Sequence, residues 1–290
     1  MRKLVVTGAL GHIGSRLVRS LRPGEFDEVL LVDDLSTQRY CSLFNLPAGV
    51  PCRFVEADIL SADLDELFQG SQAVIHLAAI AHPAQSFEIQ SQVEQVNYEG
   101  AARVARACQT AGAGLVFLST TSIYGTREET VDEDCGPEHL QPQTPYAKSK
   151  FKAEQELAAL GQSGGLRYVT FRFGTIYGTS PGMRFHTAVN RFVWQACLGK
   201  PITVWRTALH QKRPYLDLGD AVRAVLFVLA GGRFDNRIYN VVTDNATVSD
   251  IVEAIREFVP GLRIDLVDSP AMNELSYVVL AEKFRALGFR

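Results

Sequence analysis

Residues 4–21 read LVVTGALGHIGSRLVRSL, and this stretch decides the fold. It opens with the apolar run Leu4–Thr7, passes through glycines at positions 8, 11 and 14, and continues with apolar residues at helical spacing from Ile13 to Leu21. Continuous apolar runs suit strands that are covered on both faces of a sheet, whereas a period of about 3.6 residues suits an amphipathic helix. The stretch therefore predicts a strand, a tight turn and a helix in direct succession.

The alternation of short apolar runs and longer amphipathic segments continues along the chain. Helical spacing is clear over Val93–Ala111. Buried strands separated by helices predict an α/β fold, a doubly wound parallel sheet of the Rossmann type. The further apolar runs are Val29–Val32, Phe54–Ala57, Ala73–Leu77, Leu115–Leu118 and Val169–Arg172.

The spacing of apolar residues changes after Gly178. From there, helical segments at about Phe185–Leu198 and Val248–Phe258 alternate with short strands. This pattern predicts a smaller α+β cap. The expected division is a Rossmann domain over 1–176, to which the chain returns at about 214–244, and a cap over 177–213 and 245–290.

The composition narrows the class of protein. A net charge of -3 without a clustered basic segment argues against a nucleic-acid partner, and no apolar run is long enough to cross a membrane. The five cysteines are far apart and odd in number, which favours a reducing compartment, so we expect the cytoplasm. The six histidines are scattered, and a metal site is not indicated.

The glycine-rich turn has the spacing of a dinucleotide-binding site. Gly8 permits a tight turn, Gly11 lets the backbone approach a pyrophosphate at the helix start, and Gly14 lets helix and strand pack closely. The second predicted strand ends in Asp33 and Asp34, where a carboxylate accepts hydrogen bonds from ribose hydroxyls and repels a 2′-phosphate. These residues predict NAD rather than NADP as the cofactor, with helix capping as the structural alternative for the aspartates.

A tyrosine and a lysine form a candidate catalytic pair. Tyr146 and Lys150 are four residues apart, so on a helix they share one face. A phenol has a pKa of about 10 in water, and a neighbouring ammonium lowers it. The hydroxyl cluster Ser119–Ser122 ends the fifth predicted strand, at the sheet edge where α/β folds bind ligands. The pair therefore predicts proton transfer coupled to hydride transfer at a hydroxyl-bearing carbon.

Further segments match a known family. They are TGALGHIG at 7–14, ADI at 57–59, HLAA at 76–79, Asn97 before Gly100, STTSIYG at 119–125, YAKSK at 146–150, RFGTIYG at 172–178, RPYLDLGD at 213–220 and YNVV at 239–242. With them the chain resembles the extended short-chain dehydrogenase/reductase family, in its branch of NAD-dependent sugar epimerases and dehydratases. The resemblance implies that Thr120 is the catalytic hydroxyl beside Tyr146 and Lys150, and that Ser122 contacts the substrate.

The resemblance also implies which residues bind the cofactor. Asp58 follows the third strand and would reach the adenine, with a simple turn as the alternative. Ala78 and Ala79 are small enough to let the cofactor lie against the backbone. The full expected set is Gly8, Gly11, His12, Ile13, Gly14, Asp33, Asp34, Asp58, Ile59, Leu77, Ala78, Ala79, Asn97, Tyr146, Lys150 and Phe173.

Two departures from the family bear on the substrate contacts. Relatives that bind nucleoside-diphosphate sugars usually carry Asn where this chain has Thr175, and an Arg near Met272–Asn273. The glycine-rich turn of the cap is also replaced, by RTA at 206–208. We expect Thr175 to contact the substrate. We expect the phosphates to be held by Arg184, Arg206 and Arg213, whose structural alternative is a solvated surface position.

The residues after Thr120 select among the reactions of the family. Thr121-Ser122 stands where dehydratases carry Asp-Glu, Ser122 replaces the Glu typical of UDP-glucuronate decarboxylases, and Thr121 replaces a Cys of enzymes that epimerise next to the ketone. The remaining set predicts an NAD-dependent epimerase of a nucleoside-diphosphate sugar, acting by transient oxidation at C4 and hydride return to the opposite face. The alternatives are an NAD(P)-dependent 4-dehydrogenase or 4-ketoreductase of a modified nucleotide sugar, a dehydratase, and a non-catalytic NAD-binding regulator. The nucleotide and the sugar stay open.

Family members pair through long helices, so the resemblance implies a homodimer. The helices expected to pair are about Val93–Ala111 and Tyr146–Leu160. The second carries Phe151, Leu157 and Leu160, beyond what facing the sheet obviously needs. The alternative is that all three side chains pack internally.

Overall fold

The structure, a computed structural model, describes residues 1–82, 85–125, 130–268 and 276–290. Its strands in chain order are β1 (Lys3–Thr7), β2 (Glu28–Asp33), β3 (Cys52–Glu56), β4 (Ser71–His76), β5 (Gly114–Thr120), β6 (Thr130–Val131), β7 (Arg167–Phe173), β8 (Thr175–Tyr177), β9 (Ile202–Trp205), β10 (Arg213–Asp217), β11 (Arg237–Val241), β12 (Asp244–Ala246), β13 (Ile264–Val267) and β14 (Val278–Val279). Its α-helices are α1 (His12–Ser20), α2 (Leu64–Phe68), α3 (Gln90–Glu94), α4 (Gly100–Ala111), α5 (Pro145–Gln162), α6 (Ala188–Cys197), α7 (Leu218–Gly231), α8 (Val248–Phe258) and α9 (Glu282–Ala286).

Seven parallel strands among the described residues form the central sheet, in the order β11-β7-β5-β4-β1-β2-β3. Every residue of β1 and of β5 is buried, as expected for strands that are covered on both faces. The predicted doubly wound sheet is confirmed. The strand order reverses between β1 and β4, which leaves a crevice outside the carboxyl ends of the strands where such folds bind ligands.

Successive residues of β1 point into two separate apolar cores. Leu4 and Val6 pack with side chains of α1 and α7 on one face of the sheet. Val5 packs with side chains of α2, α4 and α5 on the other face. The apolar runs that the sequence shows are continuous because both faces of the sheet are covered.

The helix predicted over Val93–Ala111 is present and contains a π-helical turn. This turn, at Gln95–Glu99, lies directly between α3 and α4. Such turns are frequent at functional sites. This one carries Asn97, which is completely buried. The helix resumes at Gly100, where a Cβ would lie 2.7 Å from Cδ1 of Ile59.

The elements after β8 form the predicted α+β region. Strands β9 and β13 pair in parallel, and α6 and α8 pack on them around Phe192, Val204 and Val252. The last helix, α9, departs from the expected boundary of 245–290, because Phe284 packs edge-on against Phe171 of β7 with ring centroids 5.0 Å apart. That helix therefore lies on the core of the central sheet. Within the described ranges, no helix has the length and apolar character needed to cross a membrane.

The outer face of α5 is more polar than the sequence analysis implied. Leu157 is completely buried and Leu160 packs against the same core, so reading these two as surplus to internal packing was wrong. Phe151 is half-buried. The exposed surface of the helix carries ion pairs from Lys152 to Glu94 and from Glu156 to Arg106.

Candidate active site

The turn after β1 has the geometry that the glycine pattern predicts. Gly8 has a φ of +67°, and a Cβ there would lie 2.5 Å from the backbone nitrogen of Ala78. A Cβ at Gly14 would lie 2.6 Å from the carbonyl oxygen of Ala9. Helix α1 therefore begins tightly against the sheet, and its N-cap, Gly11, offers no side chain to cap the first N–H groups. Uncapped N–H groups at a helix start attract anions, so this turn is shaped for a pyrophosphate.

His12 stands in the first turn of α1 and lines the adjoining cavity. Its Nδ1 lies 2.8 Å from Oγ of Ser180, and its buried Nε2 has no hydrogen-bond partner. Burial, followed by the charge of Arg184, lowers the pKa of His12 to about 4, so the ring is neutral at neutral pH. The tautomer in which Nδ1 accepts from Ser180 carries its proton on Nε2, and that proton suits a phosphate oxygen.

The two aspartates after β2 have different surroundings. Asp33 accepts hydrogen bonds from the N–H groups of Leu10 (3.0 Å) and Leu35 (3.1 Å). Burial raises the pKa of Asp33, and these N–H groups oppose the shift. Asp34 is exposed and accepts a hydrogen bond from the N–H of Ser36 (3.0 Å) in a local turn. Asp33 therefore fixes the glycine-rich turn at the strand end where the ribose is expected.

Three residues of the expected cofactor set make contacts with other parts of the protein. Asp58 is exposed and accepts a hydrogen bond from the N–H of Leu60 (2.9 Å). Ile59 is buried against α4. Asn97 accepts a hydrogen bond from the N–H of Ile80 (2.8 Å) and donates one to its carbonyl oxygen (3.0 Å). Asn97 thereby holds the loop after β4, and its contact with the cofactor stays a prediction.

Thr120, Tyr146 and Lys150 line one cavity of about 400 Å³ at the carboxyl end of β5. Helix α5 begins at Pro145, and the Thr144 side chain caps it by accepting from the N–H of Ala147. The helix thereby places Tyr146 in its first turn and Lys150 one turn later. The Thr120 side chain hydrogen-bonds the Tyr146 hydroxyl. The predicted catalytic residues are thus brought together.

The electrostatics of the pair differ from the sequence expectation. Burial raises the pKa of Tyr146, and the charge of Arg184 and the hydrogen bond from Thr120 oppose the shift. Arg184 is therefore a cation that acts on the phenol and that the sequence analysis did not assign to this role. Burial also lowers the pKa of Lys150 to about 8, against the charge of Glu154. The Lys150 ammonium lies 4.8 Å from the ring centroid of Phe117.

Most of the other expected cofactor residues line the same cavity. They are Gly8, Gly11, His12, Ile13, Gly14, Leu77, Ala79 and Phe173. The tight glycine turn, the uncapped start of α1 and the unpartnered His12 Nε2 fit the pyrophosphate of a dinucleotide such as NAD. The described residues contain no group of three or more side chains placed to hold a metal ion.

The residues expected to contact the substrate divide between two cavities and the surface. Ser122, Thr175 and Arg184 line the first cavity. Arg213 lines a second cavity of about 260 Å³. His186 lines both cavities. The Arg206 side chain is 61% exposed and pairs with Asp268 at 3.4 Å, as in the solvated alternative. The position near Met272–Asn273, where relatives carry an arginine, lies outside the described residues.

Several lining residues were not anticipated from the sequence. Arg39, Ala81, His82, His186 and Thr187 all line the first cavity. Gly182 lies on the glycine-rich turn, and a Cβ there would be 2.3 Å from the carbonyl oxygen of Leu10. The only sequence signal for this packing is the Pro-Gly step at 181–182, which follows the YG at 177–178.

Comparison with known proteins bears on the identity of this site. The model of the NAD dependent epimerase/dehydratase family matches residues 4–241. The chain is 30% identical over 265 residues to the uncharacterized UDP-glucose epimerase YtcB of Bacillus subtilis, over 88% of this chain and 81% of that protein. It is 29% identical over 308 residues to the Arabidopsis thaliana trifunctional UDP-glucose 4,6-dehydratase/UDP-4-keto-6-deoxy-D-glucose 3,5-epimerase/UDP-4-keto-L-rhamnose-reductase RHM3, over 99% of this chain but only 45% of the plant enzyme. MoeE5, solved in complex with UDP-glucuronic acid and NAD, is 28% identical with a TM-score of 0.83, over 99% of this chain and 93% of that one.

Proposed function

The chain belongs to the NAD dependent epimerase/dehydratase family, and from that premise we propose that it is an NAD-dependent epimerase that inverts C4 of a nucleoside-diphosphate sugar. One observation carries the proposal. Thr120 and Tyr146 are hydrogen-bonded in a cavity to which no carboxylate contributes among the described residues. The groups that move one proton are present, whereas the acid that water loss requires is not.

Tyr146 and Thr120 act on the C4 hydroxyl of the sugar. The Tyr146 phenolate accepts the hydroxyl proton while the hydrogen on C4 leaves with its electron pair. Bound NAD supplies the hydride acceptor at this wall of the cavity. On the return, Tyr146 gives the proton back to the C4 oxygen, so no net oxidation remains. The hydrogen bond from Thr120 and the charge of Arg184 favour the phenolate against the effect of burial.

Lys150 supports the same step. Its pKa of about 8 leaves the ammonium largely protonated at neutral pH. A buried positive charge one helical turn from Tyr146 favours negative charge on the phenol, and the ammonium is placed to hold the nicotinamide ribose. Loss of Lys150 should therefore weaken both catalysis and cofactor binding.

The side chains that surround C4 favour hydride return over other fates of the ketone formed there. Thr121 donates a hydrogen bond to the carbonyl oxygen of Phe173 (3.3 Å), and Ser122 adds a hydroxyl to the cavity. Neither side chain is an acid or base that would drive dehydration or decarboxylation. Inversion then requires the keto-sugar to turn its other face to the nicotinamide, and Thr175 in place of a longer Asn leaves room for that turn.

The second cavity is the proposed binding site of the nucleotide. It is lined by Arg191 and Arg213, and the buried Nε of Arg191 has no partner. Guanidinium groups suit a diphosphate. The cavity is built from residues 186–213 and Val248, which supports the proposed division into a Rossmann domain and a cap. The names of the relatives favour UDP as the nucleotide.

Cofactor stoichiometry tests the proposal. The protein is incubated with NAD and sugar nucleotides that carry deuterium at C4, and products are followed by NMR and mass spectrometry. An epimerase converts many substrate molecules without net NADH and keeps the deuterium at C4. Stoichiometric NADH identifies the dehydrogenase or ketoreductase alternative, a product lighter by one water identifies a dehydratase, and NAD binding without turnover identifies a regulator.

We further propose a homodimer in the cytoplasm. The family resemblance and the half-buried Phe151 support pairing through α4 and α5, and light scattering at micromolar concentration tests it. A monomer there would contradict the proposal. The free state of all five cysteines supports a reducing compartment.

A further inference from the structure

Arg184 brings an unpaired positive charge to the wall of the cavity that holds Tyr146. It donates a hydrogen bond from Nη1 to the carbonyl oxygen of Ala81 (3.2 Å). Its Nε is shielded from solvent and has no hydrogen-bond partner. Within the described part of the chain, Arg184 forms no ion pair. Burial lowers its pKa.

Such an arrangement is unfavourable unless a ligand completes it. Removing a charge from water without a partner costs several kcal/mol, and a bound anion offsets that cost. A guanidinium with a free edge matches the two oxygens of a carboxylate or a phosphate. Arg184 is therefore positioned for an anionic group of a ligand that enters the first cavity.

With the cofactor bound, the first cavity keeps a net positive charge. Arg39, Lys150 and Arg184 line the cavity, and no carboxylate does so among the described residues; the charge of Asp33, behind the lining, acts on Arg39 and offsets one of the three. NAD brings two negative charges on its pyrophosphate and one positive charge on its nicotinamide. The substrate diphosphate has its own arginines, Arg191 and Arg213, in the second cavity. A neutral sugar would leave the surplus in the first cavity uncompensated.

The position of Arg184 indicates which part of the sugar carries the anion. Tyr146 and Thr120 bind the C4 hydroxyl, and C5, the next ring carbon, carries C6. Arg184 and Tyr146 line the same cavity, and the charge of Arg184 acts on the Tyr146 phenol. An anionic group at C6 therefore falls between them and within reach of the hydroxyls of Ser122 and Thr175, which line the same cavity.

We propose that Arg184 binds the C6 carboxylate of the sugar, so that the substrate is a nucleoside-diphosphate uronic acid. The inference rests on the proposed function for the position of C4. Its main competitor is the pyrophosphate of NAD, because Arg184 also acts on His12 beside the glycine-rich turn. The experiment is arranged to separate the two anions.

Three variants of the full-length protein serve the test. Arg184→Met keeps much of the side-chain stem and removes the charge, whereas Arg184→Lys keeps the charge and removes the planar fork. Arg39→Met removes the other lining guanidinium, whose Nη1 lies 3.9 Å from the position of a Gly11 Cβ. The probes are glucuronate and glucose, each linked to UDP and to dTDP. The measurements are Kd and kcat/KM for each sugar, the Kd for NAD, and a thermal melt.

The wild type should favour the uronate over the neutral sugar by about 100-fold in kcat/KM, as expected for one buried charge pair. Arg184→Met should remove that preference and leave the Kd for NAD nearly unchanged. Arg184→Lys should restore part of the preference, which also keeps the test valid if the methionine variant melts early. Arg39→Met should weaken NAD binding without altering the ratio of uronate to neutral sugar.

The failures of the inference and of the proposed function are distinct. Efficient C4 inversion of the neutral sugar with no preference for the uronate would overturn the inference and leave the function intact. An equal loss for both sugars, or a loss of NAD affinity as the main effect of Arg184→Met, would also overturn it. Arg184-dependent binding of the uronate with release of CO2 or of NADH would support the inference and refute the epimerase.

Discussion

Arg172 and Glu154 form a two-pronged ion pair in the interior, with Nε 3.1 Å from Oε1 and Nη2 2.7 Å from Oε2. Their side chains are only 4% and 3% exposed. Arg172 lies on β7, and Glu154 lies on α5 one turn after Lys150. Arg172 also donates to the hydroxyl of Tyr124 (2.9 Å). The pair therefore joins the catalytic helix to the sheet beneath the active site.

Loss of the Glu154 charge should destabilise the protein strongly. Glu154→Gln leaves Arg172 buried without a counter-charge, and breaking such a pair costs about 3 kcal/mol or more. Glu156→Gln, also on α5, is the matched control. It breaks an exposed ion pair with Arg106 of α4 and should cost less than about 1 kcal/mol. Urea denaturation measures both. Equal losses would show that the buried pair contributes no more than a surface pair.

Glu154 should also set the alkaline limit of activity. Burial lowers the pKa of Lys150 to about 8, and the charge of Glu154 raises it. The protonated lysine is the active form, so kcat/KM should fall as the pH rises through that value. In Glu154→Gln the pKa of Lys150 falls further, and the decline should begin at a lower pH. Glu154 is thus a positioning residue, and an unshifted alkaline limb would refute its electrostatic role.

The sheet could be predicted from the sequence because its signals are local and repeated. The runs Leu4–Thr7 and Val29–Val32 are almost entirely apolar since both faces of their strands are covered, and α8 matches its predicted bounds. The π-helical turn around Asn97 could not be predicted, because its sequence keeps helical spacing and only tertiary contacts with Ile80 reveal it.

Within the site, the residues that belong to recognisable motifs were predicted, whereas several that reach the cavity from distant loops were not. The Tyr146 and Lys150 pair is fixed by helix geometry alone. Arg39 and His186 reach the cavity only through the course of their loops, which no periodicity encodes. The assignment of Phe284 to the cap failed for a related reason, because its ring contacts with Phe171 depend on the return of the chain to the main sheet.

Tyr146→Phe should abolish turnover while cofactor binding persists. The substitution removes only the hydroxyl that exchanges a proton with the substrate, and kcat should fall by about 1,000-fold, within the range for general acid–base groups. Tyr98→Phe, which removes a hydroxyl outside the cavity, is the control and should keep nearly full activity. Steady-state kinetics and NAD titration measure the two effects. Near-normal rates in Tyr146→Phe would mean that another group moves the proton.

Asp33 should make the protein prefer NAD to NADP. Asp33→Asn retains an oxygen for the N–H of Leu10 but removes the charge that repels a 2′-phosphate, so NADP should gain relative to NAD. Asp33→Ala also loses the anchor of the turn and should weaken NAD by about 10-fold or more, as for loss of a hydrogen bond to a charged group. Asp34→Ala, at an exposed position, is the control. Tighter binding of NADP than of NAD by the wild type would contradict the assignment.

Gly182 should couple the cap segment to the cofactor turn. A Cβ at this position would lie 2.3 Å from the carbonyl oxygen of Leu10 and 2.5 Å from that of Gly11, and both contacts are with backbone that cannot rotate away. Its N–H also donates to Oγ of Ser15 (3.0 Å), at the start of α1. In Gly182→Ala, either the cap segment moves away or the cofactor turn is displaced. The Kd for NAD should therefore rise by about 10-fold. This rise is equivalent to about 1.4 kcal/mol, which lies within the usual cost of overpacking. Gly231→Ala is the matched control, because its added Cβ meets only the flexible side chain of Arg233 at 2.7 Å. Calorimetric titration with NAD measures both variants, and an unchanged Kd in Gly182→Ala would show that the cofactor turn is independent of the cap.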